Sequence, residues 1–184
     1  MRDAGQWSRT RIADREFLEP WEPTAEVDWN VRHAVSSWPS VCSGVRAEAR
    51  RGRMLPYAIE VDGQFRGQLT IGNVTHGALR SAWIGYWVHS SVTGGGVATG
   101  ALAMGLDHCF GAVMLHRVEA TVRPENAASR KVLAKAGFRE EGLLQRYLDV
   151  DGGWRDHLLV AITVEEVAGS VTSSLVRSGR AGWV

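Results

Sequence analysis

Residues 83–100 read WIGYWVHSSVTGGGVATG, and the order of residue types in them decides the fold. Trp83-Ile84-Gly85-Tyr86-Trp87-Val88 is dense in aromatic and β-branched side chains and predicts a strand. Gly94, Gly95 and Gly96 remove every side chain from the turn that follows. Beyond them Leu102, Leu106 and Phe110 recur at spacings of four, so the glycines open directly into a helix. A turn without side chains lets backbone N–H groups approach an anion, and the positive end of the helix dipole faces it. Strand, glycine run and helix form a candidate cradle for a pyrophosphate at Gly94, Gly95, Gly96, Val97, Ala98 and Thr99; a merely flexible turn is the alternative. A Walker loop does not fit, because Val97-Ala98-Thr99 stands where Gly-Lys-Ser/Thr is required. A Rossmann turn fits poorly as well: Glu119 falls near the spacing of its acidic residue, but inside a strand rather than at the tip of one.

Working upstream, residues 54–61, 64–74 and 81–88 read as three strands of an antiparallel meander. They are joined at Asp62-Gly63, a hairpin signal, and at His76-Gly77. Residues 4–18 predict one helix. The loop Glu19-Pro20-Trp21-Glu22-Pro23-Thr24 is stiff and extended because two prolines bracket Trp21. A second helix is expected over about 30–51, capped by Asp28 or Asn30 and interrupted or restarted at Pro39. Downstream of the helix at 96–110, residues 115–122 form a strand. Strand, helix and strand in that order imply a parallel, right-handed crossover. Asn126 caps a helix over 127–136, which Gly137 stops while Phe138 folds back on the last turn. Strands over 139–149 and 154–163 flank Asp151-Gly152-Gly153, and 165–184 reads as a short helix and a Ser/Gly-rich tail. With no repeat and no linker, residues 1–184 are expected to be one α/β (α+β) domain with a mixed sheet.

Composition narrows the function. The chain has 184 residues and a formal net charge of +1, which gives no basic field for nucleic acid. No run of eighteen apolar residues and no apolar signal core occur, so a cytoplasmic protein is expected, neither spanning a membrane nor exported. Cys42 and Cys109 are far apart and outside any CxxC pattern, so reduced thiols are expected, with no disulfide and no metal site. The cluster Arg46, Arg50, Arg51, Arg53 reads as a solvated face, or less simply as a contact for an acidic partner.

Five stretches in order resemble the GNAT acyltransferase superfamily and its Rim-type branch, the ribosomal-protein N-terminal acetyltransferases: IGYWV, GGGVATGAL, RVEATVRPENAASRKVLAKAGF, EEGLL and GGWRDH. The resemblance covers about residues 54–163, and GNVTHGALRSAWIGYWV with the PWEPT loop is most similar to the RimJ-like subgroup. It implies a GNAT fold, a mixed antiparallel and parallel sheet that splits between two central strands, with acetyl-CoA lying in the split. Two departures stand out. Only Arg2-Asp3-Ala4 remains where the family writes a first strand, which would leave a sheet edge exposed. Thr93 and Gly95 replace the loop's usual polar and basic residues, so the pyrophosphate is held mainly by backbone amides, with the Thr99 hydroxyl as a further donor.

Acetyl transfer to an amine needs a neutral amine, donors for the oxyanion and a proton for the departing thiolate. The expected oxyanion donor is a backbone N–H of the 84–88 strand, at Val88, with Trp87 and Val88 lining the cofactor path. Glu119 shares a strand face with Arg117 and Thr121, opposite Val118, Ala120 and Val122. It is a candidate base, acting directly or through water; an ion pair with an arginine is the alternative. Many relatives keep an acid near position 83, where this chain has Trp83. Resemblance to the Rim branch makes Ser129 the candidate acid, with a second capping role as the alternative. The tyrosine that other GNAT enzymes use in this helix is replaced by Leu133. Asn126 is expected to bind pantetheine or peptide. Tyr147 and Trp21 are acceptor-side candidates, with core packing as their alternative, and Asp156 is expected to fix the last hairpin.

The expected activity is therefore acetyl transfer from acetyl-CoA to the N-terminal α-amine of a protein, of the ribosomal-protein-alanine type, by direct attack in a ternary complex. A small amine such as an antibiotic or polyamine is the alternative acceptor, and a non-catalytic acyl-CoA-binding module the alternative class. Either a monomer or a homodimer is compatible with the sequence.

Overall fold

The computed structural model describes residues 3–179. It opens with α1 (Ala4–Ala13), α2 (Arg15–Leu18), a 3-10 turn (Glu19–Trp21), α3 (Trp29–Arg32), a second 3-10 turn (Val35–Ser37) and α4 (Trp38–Arg50). The strands β1 (Met54–Val61), β2 (Gln64–Thr75) and β3 (Ser81–Val88) follow. After them come α5 (Val97–Gly111), β4 (Arg117–Val122), α6 (Ala127–Lys135), β5 (Arg139–Val150), β6 (Gly153–Thr163) and α7 (Val171–Arg177).

One six-stranded sheet has the order β1-β2-β3-β4-β6-β5. Only β3 and β4 run parallel. The hairpin turns form as their residues dictate: Asp62 and Gly63, then Asp151 and Gly152, take successive positive φ angles. Among the described residues no strand lies beyond β1, whose outer edge carries Pro56 where a missing N–H costs no ladder bond. Residue 2, where the first strand of the family would begin, lies outside the described residues, as does the end of the tail, 180–184.

The main core lies between the sheet and α5, α6 and α7. Leu102, Leu106 and Cys109 of α5 are fully buried against Ile71, Ile84 and Val118. Burial pushes the Cys109 thiol up to about 12, so it behaves as an apolar filler. Neither cysteine is in a disulfide. On the opposite face α1 packs on β2, and Gln6 Oε1 accepts the Phe65 N–H at 2.7 Å.

Two helices differ from expectation. The helix over 4–18 breaks at Asp14, whose buried carboxylate is drawn away to accept Ser90 N–H at 2.5 Å and Ser90 Oγ–H at 2.7 Å. The helix over 30–51 becomes α3, capped by Asp28 Oδ1 on Asn30 N–H at 2.8 Å, and α4, which starts afresh at Trp38 with Pro39 in its first turn. The expected extended loop begins as a 3-10 turn at Glu19–Trp21 and is extended only from Glu22. α6 ends as foreseen: Gly137 has φ +96°, and Phe138 N–H reaches back to Leu133 O at 3.1 Å.

Candidate active site

The sheet opens where β3 and β4 part. Their ladder joins Ser81–Trp83 to Arg117–Glu119 and stops, while β3 runs on to Val88 and β4 to Val122. On its other side β3 stays paired with β2 as far as Gly67 and Val88. His89 N–H donates to Arg66 O at 2.7 Å, on the β2 side. Because successive N–H groups alternate along a strand, Val88 N–H faces the split.

At the end of the split lies the glycine loop. Gly96 caps α5 in a left-handed conformation, φ +83° and ψ −3°, and Gly94 has φ +79°. The first helical bond to a loop carbonyl is Gly100 N–H to Gly96 O, 2.8 Å. None of the N–H groups of Gly94, Gly95, Gly96, Val97, Ala98 and Thr99 donates a hydrogen bond to the described residues. Six consecutive donors at a helix N-terminus can bind an anion through backbone alone. The Thr99 side chain, whose hydroxyl was expected as a further donor, is buried on α5 at a spacing of three from Leu102. The loop is braced by Asp14 through Ser90, and Thr93 Oγ1 donates to Ser90 O at 2.7 Å.

On the far bank Asn126 Oδ1 accepts Ser129 N–H at 3.0 Å, which caps α6 and leaves the Asn126 amide NH₂ as its free group. Ser129 Oγ lies 3.0 Å from Tyr86 Oη, a partner the sequence reading did not name. Tyr86 is a polar-tipped residue at an apolar position of β3, between buried Ile84 and Val88, and burial pushes its phenol up to about 12.

Glu119 stands in register with Trp83 at the apex of the split. Its Oε1 accepts Arg117 Nε–H at 2.6 Å, and Arg117 also binds Glu141, which pairs with Arg139. The ion pair weighed in the sequence is therefore present, and Oε2 makes no hydrogen bond to the described residues. The two carboxylates raise the Arg117 guanidinium above its ordinary value, and Arg117 holds Glu141 at about 2. The Trp83 indole lies across Gly72, where a Cβ would come within 2.2 Å of the ring.

The PWEPT loop meets both the β5–β6 hairpin and the segment after β4. Thr24 N–H donates to Asp149 O (2.9 Å), Thr24 Oγ1 to Asp149 Oδ1 (2.6 Å), and Gly152 N–H to Thr24 Oγ1 (3.0 Å). The PWEPT loop is thus stapled to the β5–β6 hairpin. Arg123 Nη1 donates to Pro20 O at 3.0 Å, and its guanidinium lies 5.3 Å from the Trp21 ring centroid, tying the loop to the segment after β4. Trp21 is 40% and Tyr147 48% exposed, so neither is core. Asp156 Oδ1 accepts Arg146 N–H at 2.7 Å and fixes the hairpin's bulge, as expected.

Trp87 points away from the helix face. It packs edge-on against Phe65 at 5.7 Å, beneath the buried Arg11. The Arg11 guanidinium lies 4.8 Å from the Trp29 centroid and 4.7 Å from that of Trp87, and Nη2 donates to Glu22 Oε1 at 2.5 Å and to His33 Nε2 at 3.0 Å. An arginine can only donate, so His33 Nε2 accepts and Nδ1–H donates to Trp29 O at 2.9 Å. Burial first, and then the Arg11 charge, lower His33 to about 4. Burial also lowers Arg11, and Glu22 partly offsets this. This cluster ties the PWEPT loop to β3. Nothing local marks its residues as buried, because its members lie in separate elements.

Among the described residues no group of His, Cys, Asp or Glu could hold a metal ion, and no helix is long and apolar enough to cross a membrane. A split parallel pair facing a glycine-capped helix defines the class of protein. The profile of the acetyltransferase (GNAT) domain matches residues 2–139, and the chain belongs to that family of acetyl-CoA-dependent N-acetyltransferases. Among solved structures it is similar to Mycobacterium smegmatis RimJ in complex with CoA-disulfide: 74% identity, TM-score 0.97, covering 100% of this chain and 88% of that one. It is also 28% identical over 168 residues to the [ribosomal protein uS5]-alanine N-acetyltransferase of Escherichia coli, covering 90% of this chain and 84% of that protein. The probable N-acetyltransferase YjcK of Bacillus subtilis is 38% identical over 101 residues, 55% of this chain and 56% of that protein.

Proposed function

We propose that this protein transfers the acetyl group of acetyl-CoA to the N-terminal α-amine of a protein, of the ribosomal-protein-alanine type, by direct attack in a ternary complex. One observation carries the reading: six N–H groups, Gly94 to Thr99, have no partner among the described residues and stand at the end of a split whose β3 bank is unpaired. The loop amides take the pyrophosphate. The free edge of β3 pairs with the pantetheine amides, and Val88 N–H receives the negative charge that develops on the thioester oxygen. Asn126 offers its remaining amide donors to the same arm.

The acceptor approaches past the stapled PWEPT loop and β5–β6 hairpin, between Trp21 and Tyr147. An α-amine titrates at about 7.7–8.0, against about 10.4 for lysine, so a useful fraction is neutral near pH 7 and a modest base suffices. Glu119 serves as that base through Oε2, by way of water, while Arg117 holds Oε1. Ser129 gives the departing sulfur its proton. Similarity to RimJ and to the uS5-alanine enzyme supports a ribosomal protein as the acceptor.

The test is acetyl-CoA turnover on peptides with different first residues, run beside aminoglycosides and polyamines at equal concentration. Release of CoA with peptides supports the proposal. Turnover confined to small amines would replace the acceptor, and CoA binding without turnover would leave only an acyl-CoA-binding module.

A further inference from the structure

Tyr86 bridges the two banks of the split. It belongs to β3, on the face of Ile84 and Val88, and its phenol reaches the first turn of α6, the helix that follows β4. Oη lies 3.0 Å from Ser129 Oγ and 3.4 Å from Ser129 O. The phenol has a single proton: only Tyr86 can donate in the 3.4 Å contact to the carbonyl, either hydroxyl can donate in the 3.0 Å contact to Oγ, and the shorter contact is the better hydrogen bond for the phenol proton. The phenol's high pKa keeps that proton in place at neutral pH. Among the described residues no charged side chain hydrogen-bonds to either hydroxyl. Ser129 N–H is already committed to Asn126. With Oγ accepting from Tyr86, the Ser129 proton is left to point elsewhere. Without Tyr86, a first-turn serine satisfies itself on nearby backbone.

We infer that Tyr86 is a positioning residue for acyl transfer: its hydroxyl donates to Ser129 Oγ and thereby turns the Ser129 proton toward the sulfur of departing CoA. The inference rests on the acetyl-transfer reading above. As the C–N bond forms and the C–S bond breaks, sulfur keeps the electron pair and takes the Ser129 proton. Ser129 recovers a proton along its hydrogen bond from Tyr86, and Tyr86 recovers one from water. The proton shed by the amine nitrogen to Glu119 and water completes the balance.

Tyr86→Phe keeps the ring and its packing and removes only the hydroxyl. Expected is a fall in kcat of about tenfold or more, with KM for acetyl-CoA unchanged within about twofold. In a Ser129→Ala background the same change should have no further effect, which a purely structural role would not produce. An acceptor-free readout accompanies it: the thiolate fraction of enzyme-bound CoA, read by ultraviolet absorbance at one mildly alkaline pH, should fall equally in Tyr86→Phe and Ser129→Ala. Unchanged kcat in Tyr86→Phe, or an equal fall with and without Ser129, overturns the inference. If the wild type binds CoA but acetylates no amine, the transfer reading fails. The thiolate measurement then decides alone, and an unchanged fraction in Tyr86→Phe overturns the inference.

Discussion

Gly96 offers the sharpest separation of fold from ligand. At φ +83° a β-branched residue is strained, and the left-handed region costs an L-residue about 1–2 kcal/mol. In a chain of this length each kcal/mol moves Tm by about 2–4 °C, so Gly96→Val should melt about 2–8 °C lower and still fold. A Cβ at Gly96 meets no heavy atom within 4 Å, so the new side chain clashes with nothing in the protein and occupies open space beside the loop amides. If it denies a phosphate two charge-assisted hydrogen bonds of about 1.5–3 kcal/mol each, CoA should bind about 10²–10⁴-fold more weakly. Gly96→Asn divides the two effects, because asparagine tolerates the left-handed region: Tm should stay near wild type while affinity still falls. Gly95→Ala is the control for stability. Its φ is not positive, and its Cβ would sit 3.9 Å from Val92 O, an ordinary contact. Thermal melts and calorimetric CoA titrations read both quantities. A Gly96→Asn protein that melts with wild type and binds CoA within about twofold would refute the amide cradle.

Further outcomes follow from the same contacts. Ser129→Ala should lower kcat by about 10²–10⁴-fold, measured by CoA release, while calorimetry finds CoA affinity little changed. Asp14→Ala removes the carboxylate that accepts from Ser90 N–H and Ser90 Oγ–H, hydrogen bonds worth about 1.5–3 kcal/mol when one partner is charged; it should lower Tm and, by loosening the glycine loop, weaken CoA binding. Glu119→Gln should slow turnover most near neutral pH and least above about pH 8, where the α-amine is already neutral, as a pH–rate profile would record. His33 is lowered from 6.5 to about 4 in the fold, so the unfolded chain binds more protons between those values. Stability present above pH 6.5 should fall by up to about 3 kcal/mol as pH drops toward about 4, and melts of a His33→Gln protein should lack that step.

Much of the fold was legible because its determinants are local. Asp62-Gly63 and Asp151-Gly152 dictate their turns, Asn126 and Gly137 bound α6, and the glycine run announces α5. The break at Asp14 was not legible, since its cause is Ser90, 76 positions away. Arg11 and His33 carry surface-type side chains, and only tertiary packing around Trp29 and Trp87 buries them. Tyr86 passed as one more strand aromatic because nothing local points its hydroxyl at Ser129. Thr99 was readable in hindsight: spacings of three and seven place it with Leu102 and Leu106 on the core face.

The central claim is transfer to a protein N-terminus, and the direct measurement is the position of the acetyl group on an alanine-starting peptide or intact ribosomal protein after incubation with acetyl-CoA. Fragmentation mass spectrometry should find it on the N-terminal nitrogen, with one CoA released per peptide modified. Acetyl found only on lysine side chains or small amines, or CoA binding with no acetylated product, would contradict the account.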